Sequence, residues 1–145
     1  EARAELEKAV ALDPTHWLPH WELSLAAARL GRMGESCAEA EEAVRLSGEA
    51  SVAVAIHACA CYARGDAPKG EALRAQLEER GRAGYVPPGL LALIDMARGE
   101  LDAAARRLEA SADSKDPWLC TFRNFPAPFG PGQAPIEALL ARFDL

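Results

Sequence analysis

Three glycines, Gly31, Gly65 and Gly99, stand 34 residues apart. Each closes a short Leu/Ala-rich stretch and opens one rich in Ala, Glu and Arg, so whatever forms on either side must recur at that interval. A small residue follows each glycine by five positions (Ser36, Gly70, Ala104), and Ala2 stands one period before Ser36. Leu12 matches Leu46, Ala9 matches Ala43 and Pro14 matches Gly48 in the same register. A chain patterned this way does not wrap one irregular core. Each unit has to bury its apolar face against its neighbours.

Composition decides what the repeated unit is made of. Alanine is abundant, and the Val/Ile/Thr/aromatic runs expected of strands are scarce, so the class reads all-α. No apolar run approaches the ~20 residues that span a bilayer, so a membrane helix is not expected. The net charge of −6 disfavours a phosphate-binding surface and gives no broad attraction to an anionic membrane. The basic cluster Arg74, Arg80 and Arg82 is interleaved with Glu78 and Glu79, and it reads as a solvated helix face.

Turn chemistry sets the helix boundaries. Glu1 to Leu12 reads as the second helix of a repeat, which implies that the sequence starts in mid-repeat, as a piece of a longer protein would. Asp13-Pro14-Thr15 separates it from a helix that carries Pro19 in its first turn and runs to about Leu30. Glu35 to Ser47 and Ser51 to Arg64 follow, the latter small on most faces so that backbones can approach closely. Gly65-Asp66 turns into a helix with Pro68 in its first turn. Its Gly70 costs about 1 kcal/mol of helix propensity, which contact with the partner helix would have to offset. Arg80 to Gly89 is expected to be a breaker-rich joint. Pro88 to Arg98 and Leu101 to Ala112 make the last pair. Phe122 to Pro135 reads as coil held by its phenylalanines, and Ala134 to Phe143 as a closing helix packing Ile136, Leu139, Leu140 and Phe143.

With these columns laid out, the chain resembles the tetratricopeptide repeat (TPR) family. The second-helix columns are kept as Ser36, Ala40 and Ala43, then more loosely as Gly70, Arg74 and Leu77, then as Ala104, Leu108 and Ser111, with Arg74 and Ser111 as departures. The usual first-helix aromatic is replaced by His20, Val54 and Pro88. A narrower likeness rests on Tyr85-Val86-Pro87-Pro88, Ala97-Arg98-Gly99-Glu100-Leu101-Asp102, Asp116-Pro117-Trp118-Leu119 and Ile136-Glu137-Ala138-Leu139-Leu140. That set is similar to the terminal TPR segment of bacterial multidomain signalling proteins. The resemblance implies a right-handed α-solenoid of antiparallel helix pairs over 1–121, its first repeat truncated, with a Pro/Phe-rich tail and capping helix over 122–145. It brings no catalytic residues with it.

In such arrays the first helices line the concave surface. Here that column holds Leu18, Trp21, Leu25, Val52, Ala55, Cys59, Tyr62, Leu93 and Met96. An apolar groove of this kind suits a peptide or partner protein anchored on Trp21 and Tyr62; the tail or a second copy of the chain are the competing occupants. The Lys, Arg and Asn that would clamp a terminal carboxylate are missing from the column.

His16 and His20 are four apart but have no further ligand nearby, and they read as part of an aromatic patch with Trp17 and Trp21. His57 and Cys61 share a helix face while Cys59 points roughly opposite, and Cys37 could approach from the preceding repeat. Neither Cys-x2-Cys nor a disulfide framework is present, so these cysteines read as small core residues in a reducing compartment, with no metal or cofactor assigned. No phosphate loop, nucleophile elbow or His-Glu-x2-His occurs. The sequence therefore points to a cytoplasmic, non-enzymatic interaction or scaffolding module. A regulatory domain that senses a small ligand or metal and controls an upstream output domain is the alternative.

Overall fold

The computed structural model describes residues 2–119, 122 and 133–144. Among them are eight helices and no strand: α1 (Ala2–Leu12), α2 (Trp17–Arg29), α3 (Met33–Leu46), α4 (Ser51–Arg64), α5 (Ala67–Ala83), α6 (Pro88–Arg98), α7 (Leu101–Asp113) and α8 (Gln133–Ala141).

The periodic glycines do one job three times. Gly31, Gly65 and Gly99 have φ of 72°, 88° and 79°, the left-handed region that a side chain disfavours. Behind each, the next residue donates its N–H to a carbonyl five positions back: Arg32 to Ala27 at 2.9 Å, Asp66 to Cys61 at 2.8 Å and Glu100 to Asp95 at 2.9 Å. This bond satisfies a carbonyl that a helix end otherwise leaves open. Two of the helix starts are closed by side chains. His16 Nδ1 accepts from Leu18 N–H at 3.2 Å to cap α2, and Asp66 Oδ1 accepts from Lys69 N–H at 3.3 Å to cap α5.

Packing follows chain order, from α1 on α2 through α4 on α5, then α6 on α7 and α7 on α8. Two contacts skip a helix, α2 with α4 and α4 with α6, whereas α5 meets α6 only sparingly. The three small-residue pairs that stand one period apart lie inside: Ser24 with Ser36 (Oγ to Oγ 3.1 Å), Ala58 with Gly70, and Ala92 with Ala104. Gly70 is explained by its partner helix, because a Cβ there would lie 2.9 Å from ring carbons of Tyr62. One apolar cluster runs through Leu25, Cys37, Val54, Cys59, Leu77, Leu90 and Ile94. A second joins Met96, Ala104 and Leu108 to Phe122 and to Leu139 and Leu140 of α8, with Phe143 packed on it.

Two expectations need correction. The breaker-rich joint is shorter than Arg80 to Gly89, since α5 continues through Gly81 to Ala83 and only 84–87 separate it from α6. Arg80 holds that stretch, donating to the side chain of Glu49 across the helix pair. The second concerns Arg74 and Glu78, which do not lie on a solvated face: only 18 % of the Arg74 side chain is exposed, and both join an ion cluster between helices. The expected coil from Phe122 to Pro135 falls, apart from Phe122 and 133–135, outside the described residues. Phe125 and Phe129 are therefore not placed, and neither is the Ile136 side chain.

Candidate functional site

The predicted first-helix column divides by burial. Leu25, Ala55, Cys59 and Met96 are fully enclosed, the first three within the larger cluster and Met96 beneath the group formed by Phe122, Leu139 and Leu140. They offer no contact surface: the small residues of α4 let neighbouring helices close over the first three, and Phe122 and α8 cover Met96. Leu18 is 42 % exposed, and Trp21, Val52, Tyr62 and Leu93 are half-buried. Those five positions are what the column presents to solvent.

Tyr62 also walls a groove of about 580 Å³ between the ends of α4 and α6 and the starts of α5 and α7, shared with Ala67, Pro68, Glu71, Ala97, Arg98 and Glu100. Its polar wall is braced. The Tyr62 hydroxyl donates to Glu71 Oε2 at 2.6 Å, and the Arg98 guanidinium sits 5.7 Å from the centre of the Tyr62 ring. Burial, followed by the bond to Glu71, raises the Tyr62 phenol above its ordinary range, and the same bond lowers the Glu71 carboxyl.

Behind this wall lies Asp95, with no exposed surface. Its Oδ2 accepts from Arg107 Nε at 2.6 Å, while Arg74 Nε lies 3.4 Å and Arg98 Nη1 3.6 Å from Oδ1. Glu78 receives both Arg74 and Arg107, at 2.9 Å and 2.8 Å. The departure at Arg74 thus has a partner one helix away. A buried carboxylate is tolerable only when paired in this manner. Asp95 went unnoticed in the sequence, although a signal was there: it is an acid in the column occupied by Ala27 and Cys61.

Ser111, the second departure, is answered by Asp116. Asp116 Oδ2 accepts from the Ser111 hydroxyl at 2.7 Å and from Gly89 N–H at 2.8 Å, and its Oδ1 accepts from Trp118 N–H at 2.9 Å. The Asp-Pro-Trp-Leu motif is consequently a clasp that fastens the start of α6 to the end of α7.

The histidines and cysteines sort differently from one another. His16 is occupied as a cap, and His20 Nδ1 meets Glu39 Oε2 at 2.7 Å, so the two do not converge. Cys37 of α3 and Cys61 of α4 do, with Sγ atoms 3.5 Å apart, and His57 joins them. Cys37, Cys59 and Cys61 are free thiols, and all are buried. Cys59 lies apart from the trio, as helix geometry requires. Burial, then the Lys69 charge, pushes the His57 imidazole down to about 4, so the ring is neutral at physiological pH. Burial, then Cys37, pushes the Cys61 thiol up to about 12.

No protein-family profile matches the sequence, and no curated protein or solved structure matches it. Among the described residues, no helix is long and apolar enough to cross a membrane.

Proposed function

We propose that this chain is a TPR-type interaction module: α2/α3, α4/α5 and α6/α7 are antiparallel pairs stacked into a short right-handed solenoid, α8 caps it, and a protein or peptide segment docks on the first-helix face. One observation carries the reading, the identical closure of three helix ends at 34-residue intervals, combined with the stepwise contact of α2 with α4 and α4 with α6. The strip formed by the exposed Leu18 and the half-buried Trp21, Val52, Tyr62 and Leu93, with the braced groove beside Tyr62, gives the surfaces such a role would use. The module is non-enzymatic. It works in the cytoplasm, a setting with which three free thiols agree, and serves a larger bacterial signalling protein.

Isothermal titration of the chain with a panel of peptides bearing spaced aromatic and aliphatic anchors tests the reading. Tyr62→Ala is expected to weaken the best binder by about 2 kcal/mol, a typical loss for a central aromatic anchor. Trp21→Ala is expected to weaken it by a comparable factor. An affinity untouched by both substitutions, in variants whose circular dichroism is native, would remove this face as the docking surface.

A further inference from the structure

We propose that Cys37, His57 and Cys61 form a binding site for a thiophilic divalent metal of the zinc class, held by two thiolates and one imidazole between α3 and α4. The argument begins with geometry. The two Sγ atoms and a ring nitrogen all lie within 4.8 Å of one another, and the sulfurs are 3.5 Å apart. A tetrahedral centre with Zn–S bonds of about 2.3 Å sets its sulfurs about 3.8 Å apart, so the pair needs only a small adjustment to accept an ion.

The second observation is independent of that spacing. His57 is only 3 % exposed, and neither of its ring nitrogens has a hydrogen-bond partner among the described residues. A buried imidazole normally finds a donor or acceptor. Here its lone pair meets two thiols that can do little for it as weak donors, but which as thiolates would complete a ligand set with it. Chemistry and charge fit as well. Thiolate and imidazole are donors that suit Zn(II), and two thiolates cancel the ion's two positive charges, so the loaded core buries no net charge.

Binding is balanced as follows: the metal ion replaces the thiol protons of Cys37 and Cys61, two S–H bonds break, two metal–sulfur bonds form, and two protons leave to solvent, while the already neutral His57 donates its lone pair without losing a proton. The charged groups around the ring are Glu41 of α3, Arg64 of α4, and Asp66 and Lys69 at the start of α5. Glu41 and Lys69 are paired at 2.8 Å and partly exposed, which gives the otherwise enclosed trio a polar edge toward solvent. Water entering by that edge would supply the fourth ligand and keep the site neutral. Uptake should accordingly weaken as pH falls, with a steep, two-proton dependence.

The test uses the full chain, reduced and metal-free, titrated with Co(II) and then with Zn(II). The expected result is one equivalent bound, a thiolate-to-cobalt charge-transfer band in the near ultraviolet with visible bands of tetrahedral intensity, and their disappearance on adding Zn(II). Cys37→Ala, Cys61→Ala and His57→Ala should each lower affinity by at least a hundredfold, whereas Cys59→Ala should retain the bands. Mass spectrometry of the unmutated chain after alkylation guards against variants that fail to fold. With Zn(II) present, Cys37 and Cys61 should be protected relative to the metal-free protein, and Cys59 should be unaffected by the metal. An octahedral, sulfur-free cobalt spectrum, equal binding by the Cys37→Ala/Cys61→Ala double variant, or a Cys37–Cys61 disulfide whose reduced form takes up no metal would overturn the proposal.

Discussion

The contact of α3 with α4 and that of α5 with α6 occupy equivalent places one period apart, and they are built from opposite chemistry. Where the first has Cys37, Ala40, His57 and Cys61, the second has Glu71, Arg74, Leu91 and Asp95. In the first, small and soft side chains let two helices lie close, and the polar atoms they bring are left facing one another. In the second, the helices barely touch, and Arg74 of α5 reaches across to the buried Asp95 carboxylate, which Arg107 of α7 holds from the other side. A repeat register fixes where side chains meet, therefore, without fixing what holds them together. Position 61 and position 95 carry the same backbone bond at the same helix end while one is a thiol and the other an anion.

The sharpest way to break this contrast is Asp95→Ala. It leaves Arg74 and Arg107 with an uncompensated share of charge in a partly buried site, and is expected to cost about 3–5 kcal/mol in urea unfolding monitored by circular dichroism. Adding Arg74→Ala, the residue of position 40, should recover a good part of that loss. If the single variant unfolds like the unmutated chain, the ion cluster is ornamental.

Acid should act on the other contact. The unfolded His57 ring titrates near 6.5 and the folded one about 4, so the unfolded state binds more protons between these values. The stability that His57 contributes is present above pH 6.5 and drains away as pH falls towards 4, a loss of about 1–3 kcal/mol after allowance for the charged edge beside it. His57→Leu, which copies position 91, should flatten the unfolding free energy over that window. An unchanged pH profile would mean that carboxylates alone govern acid sensitivity.

A smaller effect is expected at Gly70. Alanine there gains about 1 kcal/mol of helix propensity but drives a methyl into the Tyr62 ring, and overpacking of this sort costs about 1–3 kcal/mol. Gly70→Ala should consequently lower the thermal midpoint slightly, while Gly70→Ala with Tyr62→Leu should raise it above that of Tyr62→Leu alone. Smallest of all is Cys61→Ala in reduced, metal-free protein, expected to cost about 1 kcal/mol as a small buried group is trimmed. A loss as large as that of Asp95→Ala would erase the distinction between the two contacts.

Much of the helical layout was legible because its determinants are local. A glycine at φ near +80° followed by a new helix start, or a proline in a first turn, acts within a few residues of itself. The helix pattern and its breaks at Gly31, Gly48, Gly65 and Gly99 follow from such signals, and the apolar face of the closing helix marks Leu139 and Leu140 for burial. What depended on a distant partner was not legible. Gly70 stands out but is not explained without the Tyr62 ring, and Arg74 and Ser111 stand out as departures, while nothing local to them names Asp95 or, within its Asp-Pro-Trp-Leu motif, Asp116 as the partner. The binding column was overdrawn for the same reason: spacing places Leu25, Cys59 and Met96 on one side of their helices, but only the neighbouring helices and Phe122 decide that they are covered. Conversely, the register lets Cys37 approach the His57, Cys59 and Cys61 set, and helix geometry sets Cys59 aside, both of which the structure shows.

The backbone bond behind each glycine has an architectural consequence. Since this bond is made by the chain's own turn and not by the helix pair that follows, inserting or removing 34 residues between two such closures would leave it in place at each end. On the proposed repeat reading, lengthening by tandem duplication would keep this joint, and the interiors would be at liberty to diverge, one toward sulfur and another toward charge.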